Sequence, residues 1–177
     1  MKVRSRGRLT KDGIRIYEVS DFAGMHVAGR LAADILDEIA AFVVPDVTTG
    51  RLDEIITNKI EVAGAKSATI GYKGYQHASC ISVNHVVCHG IPGGKSLTNG
   101  DVLNIDVTVI VDGWNGDSSR MSVAGWLSRK SSRLLKVTHA SLMLGRAACR
   151  PGCAIVAMRS SDRAHVATHG VRRVWRR

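Results

Sequence analysis

Residues 102–120, Val-Leu-Asn-Ile-Asp106-Val-Thr-Val-Ile-Val-Asp112-Gly113-Trp-Asn-Gly-Asp117-Ser-Ser-Arg, constrain this chain more than any other stretch. Asp-Gly between two runs, the first rich in β-branched residues, is the strongest short signal for a β-hairpin, because the pair suits the positive φ angles of a type I′ turn. A two-residue loop sets the register. Val111 then faces Trp114 and Thr108 faces Asp117, and a period of two puts Asp106, Thr108, Asp117 and Ser119 on one side. Asp106 and Asp117 become diagonal neighbours at roughly 5–8 Å. Two carboxylates this close in an apolar sheet repel and raise each other's pKa unless a proton or a cation lies between them. A divalent metal ion is the simplest resolution. The pattern leaves two alternatives open: a solvated residue beside the turn, or a buried aspartate satisfied by hydrogen bonds.

The remaining elements follow from periodicity. Ser20 is a candidate cap for a helix beginning at Asp21-Phe22, with Met25, Ala28, Leu31, Ala32, Ile35, Leu36 and Ile39 recurring at three and four. Pro45 interrupts, Thr48-Thr49 start a second helix with Leu52, Ile55, Ile56 and Ile60 on one face, and Gly64 ends it. A glycine-rich loop at 71–74, a strand over Cys80–Val87 and a loop through Gly90, Pro92, Gly93 and Gly94 lead to the hairpin. A third helix is predicted over Ser128–Ala148, carrying Leu134, Leu135, Leu142 and Met143 and ending before Pro151-Gly152. Helices on one face of a mostly antiparallel sheet make the expected class α+β.

Composition narrows the partners. With 177 residues and 45% apolar content, the chain is long enough for one domain with a real core. Cys80, Cys88, Cys149 and Cys153 follow no CxxC spacing, and no apolar signal segment precedes the first helix, so free thiols and a cytoplasmic location are expected. No run reaches the ~18 apolar residues of a membrane span. The net charge of +10 sits mostly at the two ends, Lys2 to Lys11 and the arginines after Arg159. Such ends attract nucleic-acid phosphates without reading sequence, which allows a ribosome contact, although a solvated terminus is the plainer reading.

Several motifs carry a resemblance. Cys88-His89-Gly90-Ile91-Pro92, then Asn99-Gly100-Asp101-Val-Leu-Asn104-Ile-Asp106-Val-Thr-Val, then Gly116-Asp117-Ser-Ser-Arg120-Met121, resemble type I methionine aminopeptidases, metallopeptidases of pita-bread fold that remove the initiator methionine. Met25–Ala33, Val44–Gly50 and Gly71–Tyr75 extend the similarity, which runs from about Ile14 to Gly152. The resemblance implies a metal centre of divalent ions (Co, Mn, Fe or Zn) with Asp106 and Asp117 as ligands. It further implies His89 as a catalytic residue contacting substrate near the scissile amide, and a methionine pocket involving Tyr72, Tyr75 and Cys80. The implied partners are the N-termini of nascent polypeptides, and the family is monomeric; association is a further possibility for this chain. Cys88 is read as packing, because carboxylates with histidine suit these ions better than a thiolate does. His85 in place of a glutamate, Asp46 in place of a glycine, Gln76 in place of a proline and Thr69 in place of a cysteine are departures from the family pattern.

The family's second half supplies a histidine and two glutamates, and nothing after Gly152 resembles its glutamate-bearing strands. The expected organisation is therefore a basic arm at 1–13, an incomplete aminopeptidase-like domain at 14–152, and a basic, divergent tail at 153–177 read as disordered. Thr168-His169-Gly170-Val171 faintly resembles the family's third-ligand turn. Two further functions stay open: a catalytically inactive remnant, and a non-enzymatic basic module docking on ribosomal RNA.

Overall fold

In the computed structural model, which describes residues 7–171, Arg8–Leu9 (β1) and Arg15–Ile16 (β2) pair as a small antiparallel hairpin. Part of the expected basic arm is thus folded back, while residues 1–6 lie outside the described residues. Helix α1, Val19–Ile39, follows. Its cap is Glu18 rather than the expected Ser20: the Asp21 carboxylate accepts the Glu18 N–H at 3.0 Å, so the acid three residues on secures the start of the helix. Helix α2, Thr49–Val62, is capped as the sequence predicts, with the Thr48 hydroxyl accepting from the Arg51 N–H at 3.1 Å. Gly64 follows it with φ +67°, the left-handed conformation that glycine takes most readily.

Lys66–Ser67 (β3), Ser79–Val83 (β4), Val102–Val111 (β5) and Trp114–Val123 (β6) form one four-stranded antiparallel sheet. β6 runs along one edge of β5, and β4 and β3 occupy successive stretches of the other. The hairpin has the expected register, Val111 opposite Trp114 and Thr108 opposite Asp117, with Asp112 and Gly113 both at positive φ. β4 is shorter than predicted. It stops at Val83 because Asn84 turns left-handed, φ 53°, and spends its side chain on the start of β5, accepting from the Val102 N–H at 3.0 Å and donating to Asp101 at 2.7 Å.

The core lies between α1, α2 and one face of this sheet. Ala32, Ile35, Leu36 and Ile39 of α1 and Leu52, Ile56 and Ile60 of α2 meet Ile81 and Val83 of β4 and Leu103, Ile105, Val107 and Val109 of β5. Each fully buried Leu or Ile there contributes about 1.5–3 kcal/mol by leaving water. Gly116 of β6 permits the closest approach of helix to sheet, since a Cβ on it would stand 2.0 Å from the Ala28 carbonyl oxygen.

The break between the two compact units falls after Trp126, not at 152 as expected; the second unit spans Leu127–Arg177. Helix α3, Arg129–Ala147, is capped by Ser128, whose hydroxyl accepts from the Ser131 N–H at 3.0 Å. Its buried stripe is Val137, Ser141 and Gly145, while the predicted core residues Leu134 and Leu142 are exposed. The expected disorder after residue 153 is corrected by a second helix, α4, Ile155–Thr168. Alanine, methionine and arginine, six of its fourteen residues, favour helix. The Ser141 hydroxyl joins α3 to α4 by donating to the Asp162 carbonyl at 3.2 Å and to its carboxylate. Arg172, Arg173, Arg176 and Arg177 lie outside the described residues. Among the described residues no helix is long and apolar enough to cross a membrane.

Gly116→Ala is expected to destabilise the protein by about 3 kcal/mol or more, because backbone rather than a mobile side chain meets the new methyl. Gly29→Ala, in α1 with open space around its Cβ, is expected to gain ~0.5–1 kcal/mol. Urea unfolding of the two variants beside the parent measures both. Asp101 supplies a pH dependence: the Thr98 backbone N–H above all, with Asn84 also donating, holds its carboxyl below the ordinary 3.8 despite burial. Its contribution is present above the unfolded value and is lost as pH falls through the folded one. Asp101→Asn is therefore expected to lower the urea midpoint at pH 7 and to shrink the further loss on acidification.

Candidate metal and substrate site

β5 is two-sided. Leu103, Ile105, Val107 and Val109 are buried against the helices, whereas Asn104, Asp106 and Thr108 share the opposite, partly open face with Asp117, Ser119 and Met121 of β6. Thr108 donates its hydroxyl to Asp117 at 2.9 Å, holding that exposed carboxylate beside the strand. Asp106, half-buried, has Ser119 opposite on β6 and Cys80 opposite on β4. The two aspartates are diagonal neighbours, as the turn predicts. Burial first, and the Asp117 charge second, push the Asp106 carboxyl above its ordinary range, while His89 pulls it down. The structure thus brings Asp106, Asp117 and His89 within electrostatic reach of one another.

His89 reaches that position through its neighbour. Gly90 lies so close to β4 that a Cβ would meet the Ile81 carbonyl oxygen at 2.2 Å; its carbonyl accepts from the Ile81 N–H at 2.8 Å and its N–H donates to the Ser82 hydroxyl at 3.0 Å. Held there, His89 takes a left-handed backbone, φ 54°, which costs a non-glycine residue on the order of 1 kcal/mol or more. Farther on, Gly93 is bound to the first turn of α2 by the Gly50 N–H at 2.7 Å and the Thr49 hydroxyl at 3.1 Å. Cys88, beside His89, is exposed, and none of the four cysteines is in a disulfide.

Of the expected methionine pocket, Tyr75 and Cys80 come together and Tyr72 does not join them. Tyr75 donates its hydroxyl to the Ser79 carbonyl at 2.8 Å and lies 3.6 Å from the Cys80 sulfur; burial, chiefly, pushes its phenol well above the ordinary range. Tyr72 is 65% exposed and carries Lys73 over its ring at 5.5 Å. The glycines on either side of it set a tight turn that sends this ring outward.

Sequence reasoning missed Asp53. Buried on α2, it accepts the Ser79 N–H at 2.9 Å and the Ser79 hydroxyl at 2.7 Å, and its other oxygen faces His77 Nδ1 at 2.9 Å. It anchors the start of β4, and with it Tyr75 and Cys80. The signal was present, since the spacing Thr49, Asp53, Ile56, Ile60 puts an acid on the apolar face of α2. His169 does not sit in a ligand turn: it caps the C-terminal end of α4, its ring against that of His165.

The donor set at the sheet fits a divalent cation in part. Two carboxylates on a partly open face suit a hard or borderline ion, but among the described residues no group of three or more His, Cys, Asp and Glu comes together to hold one. A closed centre therefore needs donors beyond these two.

Comparison with known proteins gives the family. Residues 23–176 match the model of metallopeptidase family M24, which carries the similarity past Gly152, where the sequence motifs stop. The chain is 49% identical over 139 residues to a methionine aminopeptidase of Rickettsia prowazekii (strain Madrid E), covering 78% of this chain and 54% of that protein. It is 47% identical over 141 residues to one of Escherichia coli (strain K12), with 78% and 53% covered. It spans about half the length of these curated relatives. The crystal structure of a Rickettsia prowazekii methionine aminopeptidase superposes with a TM-score of 0.86 at 44% identity, covering 88% of this chain and 63% of that one. A Pyrococcus furiosus prolidase, at 16% identity and a TM-score of 0.76, covers 86% of this chain and 44% of its own, and shares the fold alone. The described elements are thus about the first half of the pita-bread fold.

Replacing Asp106 separates stability from metal binding. Asp106→Asn removes a partly desolvated charge facing Asp117, so with chelator present it is expected to raise the melting temperature slightly. The parent is expected to melt at higher temperature as Mn(II) is added, and the variant to lose that response. Thermal unfolding with EDTA and then with Mn(II) checks both.

Proposed function

The chain belongs to metallopeptidase family M24, and from that membership we propose that it carries the methionine-recognising half, with the first metal ligands, of a methionine aminopeptidase acting on the N-termini of nascent polypeptides. The observation that carries this reading is the diagonal pair Asp106 and Asp117 on the open face of the sheet, with His89 held beside it. Asp106 and Asp117 hold a divalent cation of the Mn, Co, Fe or Zn class, their oxygens replacing mutual repulsion with a shared counter-charge. When bound, such ions lower the pKa of a water and polarise the scissile carbonyl.

The other residues work on the substrate. Tyr75 and Cys80 recognise the methionine side chain, an unbranched thioether. Tyr75 is fixed by its bond to Ser79, and Ser79 by Asp53, so their placement is set from α2. His89, strained at its backbone and exposed at its side chain, is placed to hydrogen-bond the amide at the cleaved bond. Hydrolysis itself calls for donors and a proton-transferring group additional to these residues, because two carboxylates alone hold a cation weakly.

The test is release of free methionine from a Met-Gly-Ser peptide by the purified chain with Mn(II) or Co(II), beside Asp117→Asn and His89→Ala. Because hydrolysis calls for those additional donors, the purified chain alone is expected to release little methionine, and whatever release occurs is expected to need metal and to be lost in Asp117→Asn. His89→Ala is expected to lower kcat/KM by ~10²-fold or more. A folded protein that binds Mn(II) at Asp106 and Asp117 without releasing methionine would overturn hydrolysis by this chain alone.

A further inference from the structure

The second unit carries two histidines that the sheet site does not use. His165 lies in the last turn of α4, and His169, four residues on, is its C-cap. One helical turn separates them, so their side chains emerge on the same face. Their ring centroids are 4.3 Å apart with an interplanar angle of 40°. His165 is half-buried and His169 exposed, so an ion from solvent can reach them.

The hydrogen bonds at this helix end decide which nitrogen is available. His169 Nδ1 lies 2.9 Å from the His165 carbonyl oxygen. A carbonyl only accepts, so Nδ1 carries the proton, and in the neutral ring Nε2 holds the lone pair. Histidines that bind metals have their second nitrogen tied in this way, which fixes both the tautomer and the ring orientation. The Thr168 hydroxyl donates to the same carbonyl at 2.8 Å, and Arg133 of α3 donates to the His169 carbonyl at 2.9 Å, so the cap is held from both sides of its peptide. The carbonyls that end a helix carry partial negative charge and favour a cation, and the Arg133 guanidinium opposes it.

We propose that His165 and His169 form a two-imidazole site for a transition-metal cation of the Zn(II), Cu(II) or Ni(II) class. Its chemistry differs from that at the sheet: imidazole nitrogens select these ions, while the carboxylate pair also suits harder ones. Among the described residues no third His, Cys, Asp or Glu joins the pair, so water completes the coordination and the site is open. A bound ion links residues one turn apart and clips the end of α4, stabilising the helix increasingly as the free ion rises above its Kd. This site does not depend on the chain being a peptidase.

The test uses the full chain with Cu(II) as probe, in four forms: parent, His165→Ala, His169→Gln and Asp117→Asn. Circular dichroism establishes that each is folded. Titration followed by electron paramagnetic resonance is expected to show coupling to two imidazole nitrogens in the parent and in Asp117→Asn. Each histidine variant is expected to lose one of the two nitrogens and ~10² in affinity, because the second imidazole binds intramolecularly. Zn(II) is expected to raise the melting temperature of Asp117→Asn and to raise it less when His165→Ala is added. An unchanged copper spectrum and affinity in both histidine variants would overturn the site, and so would loss of the two-nitrogen signal in Asp117→Asn.

Discussion

Everything at the sheet depends on β5 being buried on one side and partly open on the other. Its alternation places four aliphatic residues, Leu103 to Val109, against α1 and α2. The intervening residues Asn104, Asp106 and Thr108 are thereby committed to the opposite face. A shift of one residue would bury Asp106 in the core and expose the aliphatic row, which is prohibitive when each buried carboxylate costs several kcal/mol. The hydrophobic effect therefore aims the two aspartates of the open face, although neither takes part in it. Gly116 extends the same constraint to β6, because only a residue without a side chain lets α1 seat against the hairpin at Ala28.

Around that strand, short polar contacts fix loops that apolar packing leaves undetermined. Asp53 joins α2 to the start of β4, Asn84 joins the end of β4 to the start of β5, and Gly90 presses the His89 loop onto β4. Each partner satisfies a backbone group that would otherwise be lost to water, and an unsatisfied buried group costs about 1–3 kcal/mol. That energy is sufficient to hold His89 in its left-handed conformation. Surface pairs contribute far less. Arg120 with Asp37 and Lys59 with Glu38 are largely or partly exposed ion pairs between elements that the core already holds together.

The sequence disclosed what is governed by short-range rules. Asp112-Gly113 admits one hairpin register, and that register alone makes Asp106 and Asp117 neighbours; the start of α2 at Thr48-Thr49 is equally local. It concealed what depends on a partner distant in the chain. Asn84 reads as one more residue of a β-branched strand until Val102 and Asp101 are seen to occupy its side chain. On α3, leucine periodicity pointed to Leu134 and Leu142, but Val137, Ser141 and Gly145 form the buried face, a choice that no single helix can reveal. In the tail, arginine content suggested disorder. Yet Asp162, the acid that made the charge look so one-sided, is the residue that receives Ser141 from α3.

Asp106 concentrates the conflict between folding and function. Burial and Asp117 both disfavour its charged form. A carboxyl so placed holds its proton more tightly than one in water. The same desolvation strengthens the attraction of any cation for the oxygen in its charged form. His89 acts in the opposite sense, favouring the carboxylate, and it is held there by backbone contacts made through Gly90 rather than by any bond to Asp106 itself. The charge state of Asp106 is thus biased from the loop after β4, which Gly90 holds against that strand, and from β6 together.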